Sequence, residues 1–376
     1  MKPNNPFLLY GYYSPDYFCD RERETDKVTS ALRNDRNLTL IAPRRMGKTG
    51  LIKNVFYRME RENRENAAYF YLDIYPTRNL QAFTQSLAHT VLGQLDTLSQ
   101  GILRKMTAFF KSCRPVISMD ERTGAPTVSL DFVPEQAGET LREIFGYMSA
   151  SGKRCYLAID EFQQITEYPE TGVEALLRSY IQFLPNVRFI FSGSKKQVME
   201  EMFSSAKRPF YQSTQIIVLG EIGMDSYRLF AQRFFSLAGR ELPDESFRYL
   251  YELENGHTWY IQSILNRLYE GSDTPIDRQA VDRCVNDILD EMETIYQSNL
   301  ALLTNNQVGL LKAIAMEGTV KSVNANDFLR RHRLKAASSV NVALKSLLNR
   351  ELLYDTPEGY IVYDRFFGRW LRDTVI

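Results

Sequence analysis

The stretch Asn37-Leu-Thr-Leu-Ile-Ala42-Pro-Arg-Arg-Met-Gly47-Lys48-Thr49 decides the fold of this chain. Its first half is a short apolar run with the length and β content of a buried strand. The residues that follow, Gly50 to Arg61, place apolar side chains at the spacing of an amphipathic helix. The second half lies between the two and matches the pattern GxxxxGK[ST], except that Ala42 replaces the first glycine.

Each residue type in this loop suits a bound triphosphate. Gly47 allows backbone N–H groups to turn toward phosphate oxygens, and the following helix adds the positive end of its dipole. Lys48 supplies an ammonium for the terminal phosphates, and the Thr49 hydroxyl is a natural Mg²⁺ ligand. Arg44 and Arg45 either bind phosphate or pair with carboxylates at a domain contact, and pairing is favoured. The predicted nucleotide-binding residues of the loop are Ala42, Pro43, Arg44, Arg45, Met46, Gly47, Lys48, Thr49 and Gly50.

A second apolar strand, Arg154-Cys-Tyr-Leu-Ala-Ile-Asp160-Glu161, ends in two acids. Such pairs are usually solvated, but one that follows a buried strand downstream of a phosphate loop is far more specific. Asp160 is predicted to hold Mg²⁺ through water, and Glu161 to orient and deprotonate the water that attacks the γ-phosphate. Lys48, Asp160 and Glu161 are therefore the predicted catalytic residues, with Thr49 and Asp160 as the metal site.

Two further positions are candidate accessories to this chemistry. The strand at 187–191 leads into Ser192-Gly193-Ser194, where one serine could contact the γ-phosphate or the water, the role called sensor 1. An ordinary strand-ending turn is the alternative, and the sequence does not choose between Ser192 and Ser194. Arg208 could act on a neighbouring subunit's γ-phosphate as an arginine finger, in which case the protein is an oligomer. A surface arginine is the competing interpretation.

The order of the elements predicts an α/β core followed by helical units. Strands and helices alternate through residues 1–220, which favours a parallel sheet covered on both faces. A β-hairpin insert is expected at 113–133, with its turn at Glu121–Pro126. Helices dominate 221–300, and in 301–376 three helices followed by a hairpin predict a winged helix-turn-helix.

The composition excludes several classes of protein. Among 376 residues, Lys plus Arg equals Asp plus Glu at 46 each, so no global field attracts nucleic acid or an anionic membrane. The four cysteines lie far apart, which argues against a zinc site and fits a reducing cytoplasm. The chain shows no signal peptide and no apolar run that approaches the ~20 residues of a membrane span. We therefore expect a cytoplasmic protein.

Together these motifs resemble the archaeal-type ATPase family, a branch of the AAA+/STAND division of P-loop NTPases that also occurs in bacteria. The resemblance implies ATP and Mg²⁺ as cofactors. It also implies an ASCE/AAA+ type sheet, a helical lid at 221–300 and a C-terminal winged helix. The segments that carry it are Phe18-Cys-Asp-Arg21-Glu-Arg-Glu24, Ala42–Thr49, Leu157-Ala-Ile-Asp-Glu-Phe162, Phe191-Ser-Gly-Ser194 and Tyr363-Asp-Arg-Phe-Phe-Gly-Arg-Trp370-Leu.

The resemblance also implies roles for residues outside the Walker motifs. The stretch from Tyr13 to Arg21, with Phe18 and Arg21, would pack on the adenine, and Thr25 would begin the first helix as its cap. Gly256–Gln262 falls where STAND proteins carry a GxP motif near the nucleotide, with Thr258 in place of the proline.

Three hypotheses remain for the use of ATP. In the first, a nucleotide-driven switch reports through lid and winged helix to a protein partner. In the second, the winged helix binds DNA: residues 301–376 carry 11 Lys or Arg against 7 Asp or Glu, with a basic cluster at 330–335. The third is a nucleotide-binding scaffold with negligible turnover. Phe366, Phe367 and Trp370 suit either a core or a protein contact.

Overall fold

The structure is a computed structural model, which describes residues 2–62, 66–95, 106–119, 126–271 and 276–374. For residues 117–119 and 126–128 it describes the backbone only. The chain divides into two compact units. The first is Met1–Phe230 together with His257–Trp259, and the second is Ala231–Gly256 together with Tyr260–Ile376. The division into three domains with boundaries at 220 and 300 stays a prediction.

Strands and helices alternate along the first unit, as predicted. Its strands are β1 (Leu38–Ile41), β2 (Ala67–Asp73), β3 (Arg114–Met119), β4 (Pro126–Asp131), β5 (Arg154–Asp160), β6 (Val187–Gly193) and β7 (Gln215–Val218). Its helices are α1 (Glu22–Arg33), α2 (Lys48–Glu62), α3 (Leu80–Leu95), α4 (Ala137–Ala150), α5 (Val173–Ile181), α6 (Lys196–Ser204) and α7 (Met224–Leu237), whose residues from Ala231 belong to the second unit.

Five of these strands form one parallel sheet in the order β2-β5-β6-β1-β7. The central strands are mostly apolar because hydrophobic clusters cover both faces. Alternate residues of β5 enter different clusters: Leu157 and Ile159 enter one, Tyr156 and Ala158 the other. Because β1, β6 and β5 are parallel neighbours, the polar residues that follow or end these three strands meet at one edge of the sheet.

The predicted hairpin insert is confirmed. Strands β3 and β4 pair antiparallel, with Arg114 opposite Asp131 and Met119 opposite Pro126. The turn predicted at Glu121–Pro126 lies mostly outside the described residues, which resume at Pro126.

The prediction that Thr25 caps the first helix is wrong. Helix α1 begins at Glu22, and its N-cap is Arg21, which has a left-handed backbone (φ 73°). Thr25 is buried inside the helix, where its hydroxyl accepts a hydrogen bond from the Asn54 side chain at 3.3 Å. The helix therefore starts before the residue with the best capping chemistry.

In its described residues, the second unit is mostly helical and contains one β-hairpin. Its described elements are α8 (Asp244–Leu253), α9 (Thr258–Glu270), α10 (Arg278–Ala301), α11 (Asn305–Glu317), α12 (Asn326–Arg331), α13 (Ala337–Asn349), β8 (Leu353–Thr356), β9 (Gly359–Val362) and α14 (Arg365–Asp373). The first two residues of α9, Thr258 and Trp259, belong to the first unit. Three helices followed by an antiparallel hairpin confirm the predicted winged helix. In the described part of the chain, no helix has both the length and the apolar character needed to cross a membrane.

Helix α14 belongs to the core of the second unit. Phe366, Phe367 and Trp370 are buried, so of the two interpretations of these aromatics the core is correct. The Tyr260 and Phe366 rings meet edge to face at 4.8 Å, and Tyr296 lies 4.9 Å from Phe367. Asp364 caps the helix by accepting from the Phe367 N–H at 3.2 Å.

Candidate nucleotide-binding site

The loop between β1 and α2 has the backbone of a phosphate cradle. Gly47 has φ +90°, and a Cβ placed there would meet nothing within 4 Å, so the space above the loop is open. Arg45 also has a left-handed backbone (φ 65°), which is uncommon for a side chain of its size. The Leu51 N–H bonds to the Gly47 carbonyl at 2.9 Å and starts the helix directly behind the loop.

Lys48 folds back onto its own loop. Its Nζ donates to the carbonyl oxygens of Ala42 at 2.9 Å and Pro43 at 3.2 Å, and the side chain is buried. Burial lowers the pKa of the ammonium, while nearby Glu161 and Asp160 act in the opposite direction. The ammonium is thus held at the cradle by weak backbone acceptors that a phosphate group could replace.

Asp160 meets Thr49 at the end of β5. The Thr49 hydroxyl donates to Asp160 Oδ2 at 3.0 Å, and the Glu161 N–H donates to Oδ1 at 3.0 Å. The hydroxyl of Tyr71 on β2 also donates to Oδ2. Carboxylate and hydroxyl oxygens are the ligands that Mg²⁺ prefers. These residues therefore fit the ion, and the assignment of Thr49 and Asp160 as its ligands stays a prediction.

Glu161 is held by two polar side chains. Its left-handed backbone (φ 54°) turns it away from the strand, and Ser194 Oγ donates to its Oε2 at 2.6 Å. The Gln163 amide donates to the same oxygen. Gln163 can lie there only because residue 193 is glycine, since a Cβ on Gly193 would come 2.4 Å from Gln163 Oε1.

The two sensor candidates differ in their surroundings. Ser194 contacts Glu161, whereas the Ser192 hydroxyl is buried and has no hydrogen-bond partner in the part of the chain that the structure describes. Of the two, Ser194 is brought to the acids.

Arg21 connects the P-loop to the segment that follows β7. Its Nη2 donates to the Met46 carbonyl at 3.3 Å and to the Gly220 carbonyl at 2.7 Å, and only 4 % of the residue is exposed. Phe18 lies against α2: a Cβ on Gly50 would come 2.9 Å from its ring, so glycine allows this approach. The segment before α1 thus reaches the P-loop, and its stacking on adenine stays a prediction.

The two loop arginines contact aromatic rings. The Arg44 guanidinium lies 5.2 Å from the centre of the Tyr75 ring, and that of Arg45 lies 4.1 Å from the centre of Trp259. Trp259 lies in Gly256–Gln262, the predicted counterpart of the GxP segment, and His257–Trp259 of that segment belong to the first unit. Tyr227 donates to the Thr258 carbonyl at 3.0 Å. Cation–π contact is a kind of interaction that the sequence did not predict for these residues.

Arg208 forms ion pairs within the chain. It donates to Glu174 of α5, and its Nη1 lies 3.5 Å from Glu201 of α6. Burial raises the pKa of the Glu174 carboxyl, and Arg208 offsets part of that effect. Its use as an arginine finger stays a prediction.

Sequence reasoning missed two residues of this site, Tyr71 and Gln163. Tyr71 lies two residues before the end of β2. It reaches Thr49 and Asp160 only because β2 pairs with β5 so that Asp73 is opposite Asp160. Gln163 follows the acid pair by two residues and lies within the same turn. This closeness in sequence was a signal that could have identified it as part of the site.

Comparison with solved structures supports the fold. The Walker-type ATPase PABY2304 of Pyrococcus abyssi superposes with a TM-score of 0.65 at 18% identity, over 98% of this chain and 99% of that one. This chain has a P-loop ATPase fold. The resemblance to the archaeal-type ATPase family is confirmed at the level of the fold.

Two further comparisons extend this result. The ADP form of the ORC2 protein of Aeropyrum pernix superposes on the P-loop ATPase fold of this chain with a TM-score of 0.52 at 13% identity, over 99% of this chain and 98% of that one. Residues 294–373 match the family model described as a probable winged helix domain. A search of curated proteins gives no match by sequence.

Proposed function

We propose that this protein is an ATP-driven switch that binds Mg-ATP at Ala42–Thr49, hydrolyses it with Asp160 and Glu161, and signals its nucleotide state to a protein partner. One observation supports this above all. Lys48, Thr49, Asp160 and Glu161 converge at one edge of the sheet, beside a loop whose cradle is open. Preference for ATP over GTP rests on the resemblance to the archaeal-type ATPase family.

In binding, Lys48 leaves the carbonyls of Ala42 and Pro43 for the terminal phosphates. The backbone N–H groups of the loop and the start of α2 provide the remaining positive potential. Magnesium, when bound, neutralises charge on the phosphate oxygens, and Thr49 and Asp160 would hold it.

In hydrolysis, Glu161 accepts the proton of the attacking water, and Ser194 and Gln163 orient its carboxylate. Phosphoryl transfer depends mainly on positioning and charge neutralisation, so two donors on one carboxylate oxygen fix the base in place. We assign Ser194 the sensor 1 role for this reason.

The switch is supported by the contact between Arg45 and Trp259. A triphosphate at the cradle competes with the indole for the guanidinium, so nucleotide binding would weaken the hold on the segment His257–Trp259. Because α9 continues from this segment, the lid would respond to the nucleotide and the winged helix would carry the response to the partner.

Binding of DNA by the winged helix is the second candidate. The exposed face of α12, the following loop and α13 includes Arg333, Lys335 and Lys345. Other charges of the cluster are engaged: Arg330 pairs with Asp327, and Arg331 with Glu317. Because these pairs reduce the positive charge available to DNA phosphates, we favour a protein partner over DNA.

Hydrogen exchange and nucleotide release test the first proposal. Glu161→Gln should retain ATP after a spin column while the wild type returns ADP, and wild-type residues 231–300 should change protection with ATP. Lys48→Ala should abolish both effects. Retained ATP in the wild type would favour the scaffold, and equal protection with and without ATP would contradict the switch.

The anisotropy of a labelled DNA duplex tests the second candidate. If the protein contacts DNA phosphates, the logarithm of the binding constant should fall linearly with the logarithm of the salt concentration, with a slope of about −1 per phosphate contact. Lys345→Ala should make that slope less steep. No binding at low salt would exclude it.

A further inference from the structure

The hydroxyl of Tyr71 lies beside Thr49 and Asp160, at the proposed magnesium site, although no Walker motif includes Tyr71. Tyr71 lies on β2, which pairs with β5 so that Asp73 is opposite Asp160. Side chains two apart on a strand share a face, and Tyr69 on this face stacks on Tyr156 at 5.3 Å beside α2. Tyr71 therefore extends toward the first turn of α2, where Thr49 lies.

Three oxygen atoms meet at this point. The Tyr71 hydroxyl donates to Asp160 Oδ2 and lies 3.3 Å from Thr49 Oγ1, while Thr49 donates to the same Oδ2 at 3.0 Å. Asp160 is 5 % exposed, so bulk water contributes little to holding its carboxylate.

The two donors to Oδ2 differ in what they can do when Mg²⁺ is bound. Thr49 turns an oxygen lone pair toward the ion, so its O–H can donate to Asp160 only in the orientations that this lone pair allows, whereas Tyr71 is not a metal ligand and has no such constraint. Among the described residues, Tyr71 is the one side-chain donor to this carboxylate that is not itself a predicted metal ligand, and the Glu161 N–H fixes only the other oxygen.

We propose that Tyr71 is a positioning residue for the magnesium site: its hydroxyl fixes the orientation of the Asp160 carboxylate and thereby raises the affinity for Mg²⁺. This inference rests on the proposed Mg-ATP site. Such partners of metal ligands commonly contribute about 10–100-fold to metal affinity or activity. A tyrosine that only filled space between β2 and α2 would contribute through its ring and would lose nothing on removal of the oxygen.

Calorimetric binding of ADP, with Mg²⁺ and with EDTA, tests the inference. Tyr71→Phe keeps the ring and removes the hydroxyl. We expect Mg²⁺ to strengthen ADP binding by the wild type, and Tyr71→Phe to lower that enhancement about tenfold while affinity in EDTA stays the same. Tyr69→Phe is the matched control, because Tyr69 lies on the same face of the same strand and should retain the full enhancement.

The alternative outcomes separate the two proposals. If Tyr71→Phe retains the full magnesium enhancement, or loses affinity equally with Mg²⁺ and with EDTA, the positioning role is wrong and the ATP site stands. If the wild type binds ADP no better than Lys48→Ala does, or gains nothing from Mg²⁺, both proposals are overturned. Direct titration of Mn²⁺ into the ADP complex, followed by electron paramagnetic resonance, should show the same loss for Tyr71→Phe.

Discussion

The guanidinium of Arg45 lies over the Trp259 ring, 4.1 Å from its centre, so the phosphate loop contacts a residue 214 positions later in the chain. Such a contact contributes about 0.5–2 kcal/mol, which a bound phosphate can offset. Trp259 is one of two tryptophans, and the other, Trp370, lies in the core of the second unit.

This pair predicts a fluorescence signal for nucleotide binding. Addition of Mg-ATP should change the emission of the wild type because the charge above the Trp259 indole is withdrawn. Trp259→Phe should remove the change, and Arg45→Ala should reduce it strongly while ATP still binds. A response that survives in Trp259→Phe would assign the signal to Trp370 and contradict the prediction.

The two serines at the end of β6 should differ in their effect on turnover. Ser194→Ala should lower kcat about tenfold or more, because a hydrogen bond to a charged group contributes about 1.5–3 kcal/mol. Ser192→Ala removes a buried hydroxyl that has no partner among the described residues, so we expect kcat within about twofold and an unfolding free energy up to about 1 kcal/mol higher. Steady-state ATP hydrolysis and urea unfolding measure both, and a larger kcat loss in Ser192→Ala would reverse the assignment of sensor 1.

Glu254 should make the stability of the second unit depend on pH. Burial raises its pKa from 4.5 to about 7, against the opposing charges of Arg369, Arg365 and Arg372. Asp364 adds to the increase. Below about pH 4.5 both folded and unfolded states carry the proton. As the pH rises to about 7 the unfolded state alone releases it, so the free energy of unfolding falls, by about 2–3 kcal/mol at most.

Glu254→Gln separates this effect from the other titrating groups. Its amide keeps the shape of the side chain and carries no charge, so the decline in unfolding free energy between pH 5 and 7 should be lost. Urea unfolding followed by Trp370 fluorescence at several pH values provides the measurement. The same slope in variant and wild type would show that Glu254 is not responsible.

Arg208 can be tested for two roles at once. Arg208→Ala leaves Glu174 without its cation and should lower the unfolding free energy by about 1–3 kcal/mol, between the values for exposed and buried pairs. Adding Glu174→Gln should restore most of that stability. If Arg208 is an arginine finger, ATP turnover stays low in the double variant although ATP binds normally. Full recovery of turnover would leave Arg208 a structural role only.

The sheet was predictable because its strands are short apolar runs in a regular rhythm. Leu38–Ile41 and Arg154–Asp160 are covered on both faces, so their composition is nearly uniform and distinct from that of the helices. The acids and the P-loop were predictable because each occurs at a strand end with a motif of its own.

The contact of Tyr71 with Asp160 and the surroundings of Arg21 depend on distant parts of the chain, which local sequence patterns do not reveal. Tyr71 reaches Asp160 through the register of β2 and β5, and a shift by one residue would turn it to the other face. Ser192 and Ser194 carry the same chemistry, and only the end of β6 at Gly193 separates their environments. Arg21, the N-cap of α1, is anchored to the carbonyls of Met46 and Gly220, and no local pattern reveals these contacts.

The insertion of β6 between β1 and β5 has a consequence for biosynthesis. During translation the P-loop leaves the ribosome more than a hundred residues before Val187–Gly193, the strand that joins it to the acids. A nascent chain that ends before this strand contains Lys48, but Asp160 and Glu161 are not yet held beside it. Cellular ATP can therefore act as a folding ligand only late in synthesis, and the exposed edges of the early strands are the stage at which chaperones would be needed.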